Sequence, residues 1–338
     1  MSLEGTPAKA LPHTGFVCRI ERPNTSVHGL LDMKWRKLGR IFCAAGEYPW
    51  MRTHAANPIA ESLEGSLVRI YFNCRDDANR AHVAWLLIDL DQPHKILALS
   101  RQPAFSPGPR GAFDDRGVSI GCLVTGRNRT RLYYVGWNLG QDTPWRNAIG
   151  LAEMLPDERG EPVFARIAPG PILDRDPHDP YNLSYPWVIG EAGSWKMWYG
   201  TNLAPTPDDL RNIPHAFKLA ESDDGVDWRR YHQSLCLGGE LRGDCAFTRP
   251  CVIRDGDLYR MWYCHRGEVY KIGYAQSHDG LHWTRRDEQV GIAPSSDGWD
   301  AESLSYPSVF DHGSRRYMLY NGPRYGATGF GLAVLEQS

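Results

Sequence analysis

The stretch Lys196-Met197-Trp198-Tyr199-Gly200 returns as Arg260-Met261-Trp262-Tyr263-Cys264 and as Tyr317-Met318-Leu319-Tyr320-Asn321. Weaker copies stand at Arg69-Ile70-Tyr71-Phe72-Asn73 and Arg131-Leu132-Tyr133-Tyr134-Val135. The five copies are spaced by 62 (Tyr71 to Tyr133), 65 (to Trp198), 64 (to Trp262) and 57 residues (to Leu319). A repeat of this period signals an array of similar supersecondary units. Its neighbours repeat too. About a dozen residues upstream comes an apolar run opened by proline: Pro186-Trp187-Val188-Ile189, Pro250-Cys251-Val252-Ile253 and Pro307-Ser308-Val309-Phe310. A turn rich in Gly, Asp or Ser separates it from the aromatic phrase. A third apolar run follows, as in Phe217-Lys218-Leu219-Ala220 and Ile272-Gly273-Tyr274-Ala275. Two copies close on Ser222-Asp223-Asp224-Gly225-Val226-Asp227-Trp228 and Ser277-His278-Asp279-Gly280-Leu281-His282-Trp283, where Asp-Gly marks a hairpin.

Each unit therefore reads as a four-stranded antiparallel sheet. One such sheet cannot bury both faces alone, and radial stacking solves the problem while leaving short edges. The expectation is an all-β chain: a five-bladed β-propeller with four-stranded antiparallel blades around a central funnel. Residues 33–338 form that single domain. Residues 1–32 are an N-terminal extension that could supply a closing strand.

Composition agrees. Among 338 residues, 34 Gly and 24 Pro suit a turn-rich β-fold, and 12 Trp with 16 Tyr supply rings for packing or for stacking on sugars. A net charge of −2 argues against nucleic-acid or anionic-membrane partners. Lys stands at only seven positions, so Arg carries nearly all the positive charge. Eight Cys without a C-x-x-C pair read as buried thiols in a reduced, cytoplasmic protein. No stretch is apolar enough to span a membrane. No metal or cofactor motif is evident, and oligomeric state is not legible.

In a propeller the first strand of each blade lines the axis. Five polar segments then converge, aligned on the position before each apolar run. They are Met51 to Pro58, Phe113 to Val118, Asp179 to Pro186, Gly243 to Pro250 and Trp299 to Pro307. Their carboxylates, Asp114, Asp115, Asp244, Asp300 and Glu302, could supply the acid and base that glycosidic cleavage requires. Asp114 and Asp244 also lie near Gly and could cap turns instead. Arg52, His54, Asn57, Arg75, Arg249, His265 and Arg266 add cationic and hydrogen-bonding groups, and His54 or His265 could act near neutral pH. Tyr181, Asn182 and Tyr306 complete the expected binding set. Several arginines around one funnel suit an anionic substrate such as a sugar phosphate or nucleotide sugar.

Trp35 to Phe42, His54-Ala55-Ala56-Asn57-Pro58, Phe113 to Val118, Gly298-Trp299-Asp300-Ala301-Glu302 and Gly329-Phe330-Gly331-Leu332-Ala333 resemble the glycosidase-like five-bladed propellers of bacterial polysaccharide gene clusters. Those are similar to glycoside hydrolase families 32, 43, 62, 68 and 130. The likeness covers about residues 33 to 335. It implies a carbohydrate-active enzyme with inner-strand acids. The chain departs from the family-43 pattern, because the first segment offers Arg52, His54 and Asn57 but no acid. The fourth segment carries Asp244 followed by Cys245, where relatives tend to carry Asp-Glu-Cys. Three functions remain open: cleavage or transfer of a glycosyl unit with Asp114 and Glu302 sharing the acid and base roles and Asp244 as an orienting group; a biosynthetic lyase, dehydratase or isomerase acting on a sugar, nucleotide sugar or nucleoside; and a non-catalytic carbohydrate-binding propeller.

Overall fold

The computed structural model describes residues 33–126, 129–140, 145–156, 161–191, 193–205, 213–235, 237 and 246–336. They lie in one compact unit that begins at Asp32. Among them the fold is nearly all β. The chain opens with β1 (Trp35–Phe42). Four groups of four strands follow. The first is β2 (Thr53–Ser62), β3 (Leu67–Arg75), β4 (Ala81–Asp89) and β5 (Gln92–Leu99). The second is β6 (Gly117–Thr125), β7 (Thr130–Asn138), β8 (Arg146–Pro156) and β9 (Pro162–Arg166). The third is β10 (Leu183–Glu191), β11 (Ser194–Asn202), β12 (His215–Ser222) and β13 (Arg229–Arg230). The fourth is β14 (Ala246–Asp255), β15 (Leu258–Arg266), β16 (Tyr270–Ser277) and β17 (Thr284–Arg285). Last come β18 (Ser305–His312), β19 (Arg315–Asn321) and β20 (Phe330–Leu335), with β1 as the fourth member.

Within each group neighbours are antiparallel. Hydrogen bonding links the first two groups, and the third and fourth, into eight-stranded sheets; β18, β19, β20 and β1 form a separate four-stranded one. The links are single parallel pairs, Ala81 with Gly117 and His215 with Ala246. The first strands pack on one another in a closed cycle, β2 to β6, β10, β14, β18 and back to β2. The strand that joins chain start to chain end is β1, within the region 33–338.

The aromatic phrases are the second strands, β3, β7, β11, β15 and β19. β11 is buried continuously from Met197 to Asn202, so both of its faces are covered. That explains why these segments read as apolar runs rather than as alternation. The turns match their chemistry: Gly256 (φ 60) and Gly225 (φ 75) occupy left-handed backbone that a Cβ would strain.

Groups are fastened to each other by polar hydrogens on otherwise apolar rings. The Tyr133 hydroxyl donates to the Gly225 carbonyl at 2.8 Å, and Trp198 Nε1 donates to the Gly280 carbonyl at 2.8 Å. Both acceptors are in the Asp-Gly turn of the next group. The position after the inner proline does the same from the first strand. Trp187 Nε1 donates to Val252 O at 2.8 Å, and the thiols of Cys122 and Cys251 accept the Val188 and Val309 amides, each at 3.1 Å. The seam between the last group and the first is instead lined by Ile70, Phe72, Leu86, Leu319, Phe330 and Leu332.

The second ring of the phrase makes a different repeated bond. Tyr134 donates to Asp114, Tyr199 to Asp179 and Tyr320 to Asp300, each acid standing 20 residues upstream. Each carboxylate also meets a cation: Arg166 on Asp114 at 2.7 Å, Lys218 on Asp179 at 2.8 Å and Lys37 on Asp300 at 2.7 Å. Arg230 adds a second ion pair to Asp179 at 3.1 Å. In the fourth group Tyr263 turns to Asp287 at 2.7 Å. Burial pushes the Asp179 carboxyl up, but bonds from Lys218, Thr201 and Tyr199 more than offset this and hold it below the usual range.

Two outcomes follow from these contacts. Tyr133→Phe leaves the Gly225 carbonyl without its donor and is expected to lower stability by about 1–3 kcal/mol, read as a lower urea midpoint at unchanged slope. An unchanged midpoint would remove this bond from the account of how groups are joined. Asp179 has a depressed folded pKa, so its contribution is complete above the unfolded value of about 3.9 and is lost as pH falls through the folded one. Asp179→Asn should therefore be less stable than the parent at pH 7, by roughly 3–5 kcal/mol, and the gap should close toward pH 2. A gap that is constant with pH would show that the charge is not what matters.

Candidate active site

The first strands carry an unusual backbone at one shared position, the residue before the inner proline. Asn57 (φ 49), Tyr185 (φ 40), Arg249 (φ 56) and Tyr306 (φ 53) are all left-handed. Each sits in a break of strand register: between Ala56 and Ile59, Ser184 and Trp187, Thr248 and Cys251, and Ser305 and Ser308. A Cβ and a following proline both disfavour this backbone, so four recurrences mean that the surroundings impose it. The second group has Gly121 where the others have proline, and a Cβ there would lie 2.6 Å from Pro186.

The consequence is convergence. The Tyr185 ring lies 5.7 Å from that of Tyr306, and the Arg249 guanidinium 5.8 Å from the Tyr185 ring. Tyr325 joins them from the loop between β19 and β20. Its hydroxyl is 3.0 Å from that of Tyr185 and accepts from Asn57 Nδ2 at 3.1 Å. Its ring packs 5.3 Å from Tyr306 and 5.4 Å from the Arg75 guanidinium. Arg324 (φ 57) and Tyr325 (φ 56) are consecutive left-handed residues, a strained arrangement at about 1–3 kcal/mol each. Asn321 fixes this loop: its side chain donates to Ala55 O at 2.7 Å and Gly329 O at 2.9 Å, and accepts from the Asn57 amide at 2.9 Å. Arg75 also packs 5.9 Å from the Trp137 ring, and Tyr270 bridges Tyr306 (6.2 Å) to Arg266 (5.3 Å).

Burial, then the Tyr325 hydroxyl, hold the Tyr185 phenol well above its usual pKa. Burial and Tyr185 do the same to Tyr306. Both therefore stay neutral. Burial and then Arg75 lower the His54 pKa, so its imidazole is uncharged at neutral pH, with Nδ1 at 2.8 Å from the Thr53 hydroxyl. His215, a residue not anticipated from sequence, is likewise neutral: burial and Arg266 push it down to about 4.

Of the expected site residues, Asn57, Arg249, Tyr306, Arg75, His54 and Arg266 belong to this aromatic and cationic cluster. Others lie elsewhere. Asp114 is fully buried and Asp300 is 3% exposed, both inside the tyrosine–cation pairs described above. His265 is in the analogous group around Asp287, 3.6 Å from its carboxylate and 3.2 Å from Arg285. Asp115 accepts the Gly111 amide and caps a turn. Asn182 accepts the Asn147 amide at 2.9 Å, tying β8 to the strand beside it. Arg52 pairs with Asp77 on the surface. Tyr181 is partly buried and Glu302 is exposed, each at the entry to its first strand. Asp244 lies outside the described residues. Among those residues no cluster of His, Cys, Asp or Glu has the geometry to hold a metal ion.

Sequence reasoning missed Tyr185, Tyr325, Tyr270 and Trp137. Tyr185 was findable, since Ser184-Tyr185-Pro186 repeats Ser305-Tyr306-Pro307. Tyr325 was not, because its place depends on a loop with no counterpart in the other groups.

No protein-family model matches the chain. Among solved structures it is similar to β-1,2-mannobiose phosphorylase from Listeria innocua (TM-score 0.63, 11% identity, 91% of this chain and 97% of that one). It is also similar to a thermostable family-43 glycoside hydrolase (0.60, 16%, 84% and 88%) and to an N-acetylgalactosamine deacetylase from F. plautii (0.58, 13%, 90% and 95%). At these identities the likeness is one of fold, that of the glycosidase-like propellers. Two Mycobacterium tuberculosis proteins are much nearer in sequence. The uncharacterized protein MT1551 is 47% identical over 304 residues, covering 90% of this chain and all of that protein, and the uncharacterized protein Rv1502 is 46% identical over the same span. The chain belongs to the family of these mycobacterial proteins.

Proposed function

We propose that this protein is a carbohydrate-active enzyme whose five four-stranded groups are the blades of a five-bladed propeller, and that it cleaves or transfers a glycosyl unit bound over the axial cluster. The observation that carries the reading is the convergence of Asn57, Tyr185, Arg249 and Tyr306, four left-handed residues at one repeat position: Asn57, Tyr185 and Tyr306 meet Tyr325, and Arg249 packs on the Tyr185 ring. Aromatic faces with few but well-held polar groups suit the apolar faces and hydroxyls of a sugar. The fold supports it, since proteins of similar architecture include a phosphorylase, a glycoside hydrolase and a deacetylase. Fold alone does not select among such reactions.

In this reading Asp114 and Asp300 are architectural. One oxygen of each, Oδ2, is bonded to Tyr134 and Arg166, or to Tyr320 and Lys37, and the same tyrosine bond recurs at Asp179. Among the described residues Glu302 is the acid of the inner segments that remains exposed, and we assign it the proton transfer to or from the glycosidic oxygen. His54, kept neutral beside Arg75, is available as a hydrogen-bond partner to the bound sugar.

The test is turnover of a panel of aryl glycosides, oligosaccharides, sugar phosphates and nucleotide sugars, followed by mass spectrometry. Glu302→Gln is expected to reduce the rate by roughly 100-fold or more without lowering stability. Near-normal rates in that variant would take Glu302 out of the chemistry, and a failure to bind or convert any glycoside would end the reading as a whole.

A further inference from the structure

Resting on the reading that the axial cluster is the ligand site, we infer that Arg249 binds an oxyanion there, the phosphate or carboxylate group carried by the sugar. Arg249 is 1% exposed. Its Nη1 donates to the Ile120 carbonyl, but among the described residues its Nε and Nη2 have no partner. Those two nitrogens lie on one edge of the guanidinium, the edge that matches two oxygens of a carboxylate or phosphate. An unpaired charge in such a place is costly, so a counter-ion is called for.

Among the described residues the side chains around it do not supply one. Arg249 faces the Tyr185 ring and the thiols of Cys122, Cys251 and Cys264. Burial pushes each of those thiols up to about 12, so they are neutral, and each already accepts a backbone amide, from Val188, Val309 and Tyr306. The Tyr185 phenol is neutral for the same cause. Other buried cations meet a carboxylate: Lys37 meets Asp300, Lys218 meets Asp179 and Arg285 meets Asp287. A buried guanidinium with an unpartnered bidentate edge, among neutral tyrosines and thiols, is complementary to an anionic group brought from outside.

Thermal shift and titration calorimetry at constant ionic strength, with inorganic phosphate, glucuronate, glucose and chloride, decide the matter. Phosphate or glucuronate should stabilise the wild-type protein, and which of the two binds more tightly identifies the source of the oxyanion. Arg249→Met, close in length and uncharged, should weaken that binding by roughly 10- to 100-fold. Arg249→Lys keeps the charge without the fork and should fall between. Binding of neither oxyanion to the wild-type protein, a response to chloride alone, or equal binding by Arg249→Met would overturn the inference. Turnover of a neutral glycoside at a rate that no oxyanion alters would remove the anion but keep the enzyme. Oxyanion binding without glycosyl turnover would do the reverse.

Discussion

A four-stranded antiparallel group with apolar residues on both faces has to be sandwiched, and the sandwich here is held by ring hydrogens given to a neighbour's turn. Tyr133 bonds to Gly225 and Trp198 to Gly280, each across a seam between groups. The ring supplies apolar contact area and the hydrogen supplies register. A turn displaced by one residue would leave a buried donor and a buried carbonyl unpaired, so these bonds select one stacking among many that apolar packing would allow. The closed cycle of first strands follows from that stacking, and with it the convergence at the axis.

The internal repeat also serves as a control on which residues do what. The position 20 before the second ring is Asp114, Asp179 and Asp300 in three groups, always with a tyrosine and a cation. A device used three times in one chain answers a need that each copy shares, which is to pair a buried carboxylate with a hydroxyl and a cation. The position before the inner proline behaves differently. Its backbone is kept in four groups, yet its side chain is Asn57, Tyr185, Arg249 or Tyr306. Four residues beyond the first ring the side chains diverge as well: Arg75, Trp137, Asn202 and Arg266. Common backbone with divergent side chains is how a symmetric scaffold presents an asymmetric surface to one ligand.

This distinction explains what was legible in the sequence. The aromatic phrases, the proline-led runs and the Asp-Gly turns are local, and each corresponds to a strand or hairpin of the structure. The alignment of inner segments was legible too: Asn57, Arg249 and Tyr306 share one repeat position and one backbone conformation. The roles of the acids were not. Asp114 and Asp300 look like catalytic carboxylates in sequence, because nothing local reveals that Arg166, 52 residues on, or Lys37, 263 residues back, will neutralise them. Tyr325 was hidden for the opposite reason: its importance arises from a strained backbone that only Asn321 and the packing of Gly326 against Ala55 and Ala56 make tolerable.

Strain and unpaired charge at one place carry a further implication. The left-handed residues before proline, the consecutive pair Arg324 and Tyr325, and the unpartnered nitrogens of Arg249 all oppose folding. The polar clusters one layer out, around Asp179, Asp287 and Asp300, are by contrast well satisfied. A protein that had only to stack sheets would gain by relieving the axis, since Gly at the strained positions and an apolar residue in place of Arg249 would each lower the energy of the empty fold. That the strain persists against this gradient is best understood if the axis is shaped for the complex with its ligand. In the proposed complex the guanidinium would be paired and the rings covered, and the energy missing from the free protein would be recovered as affinity.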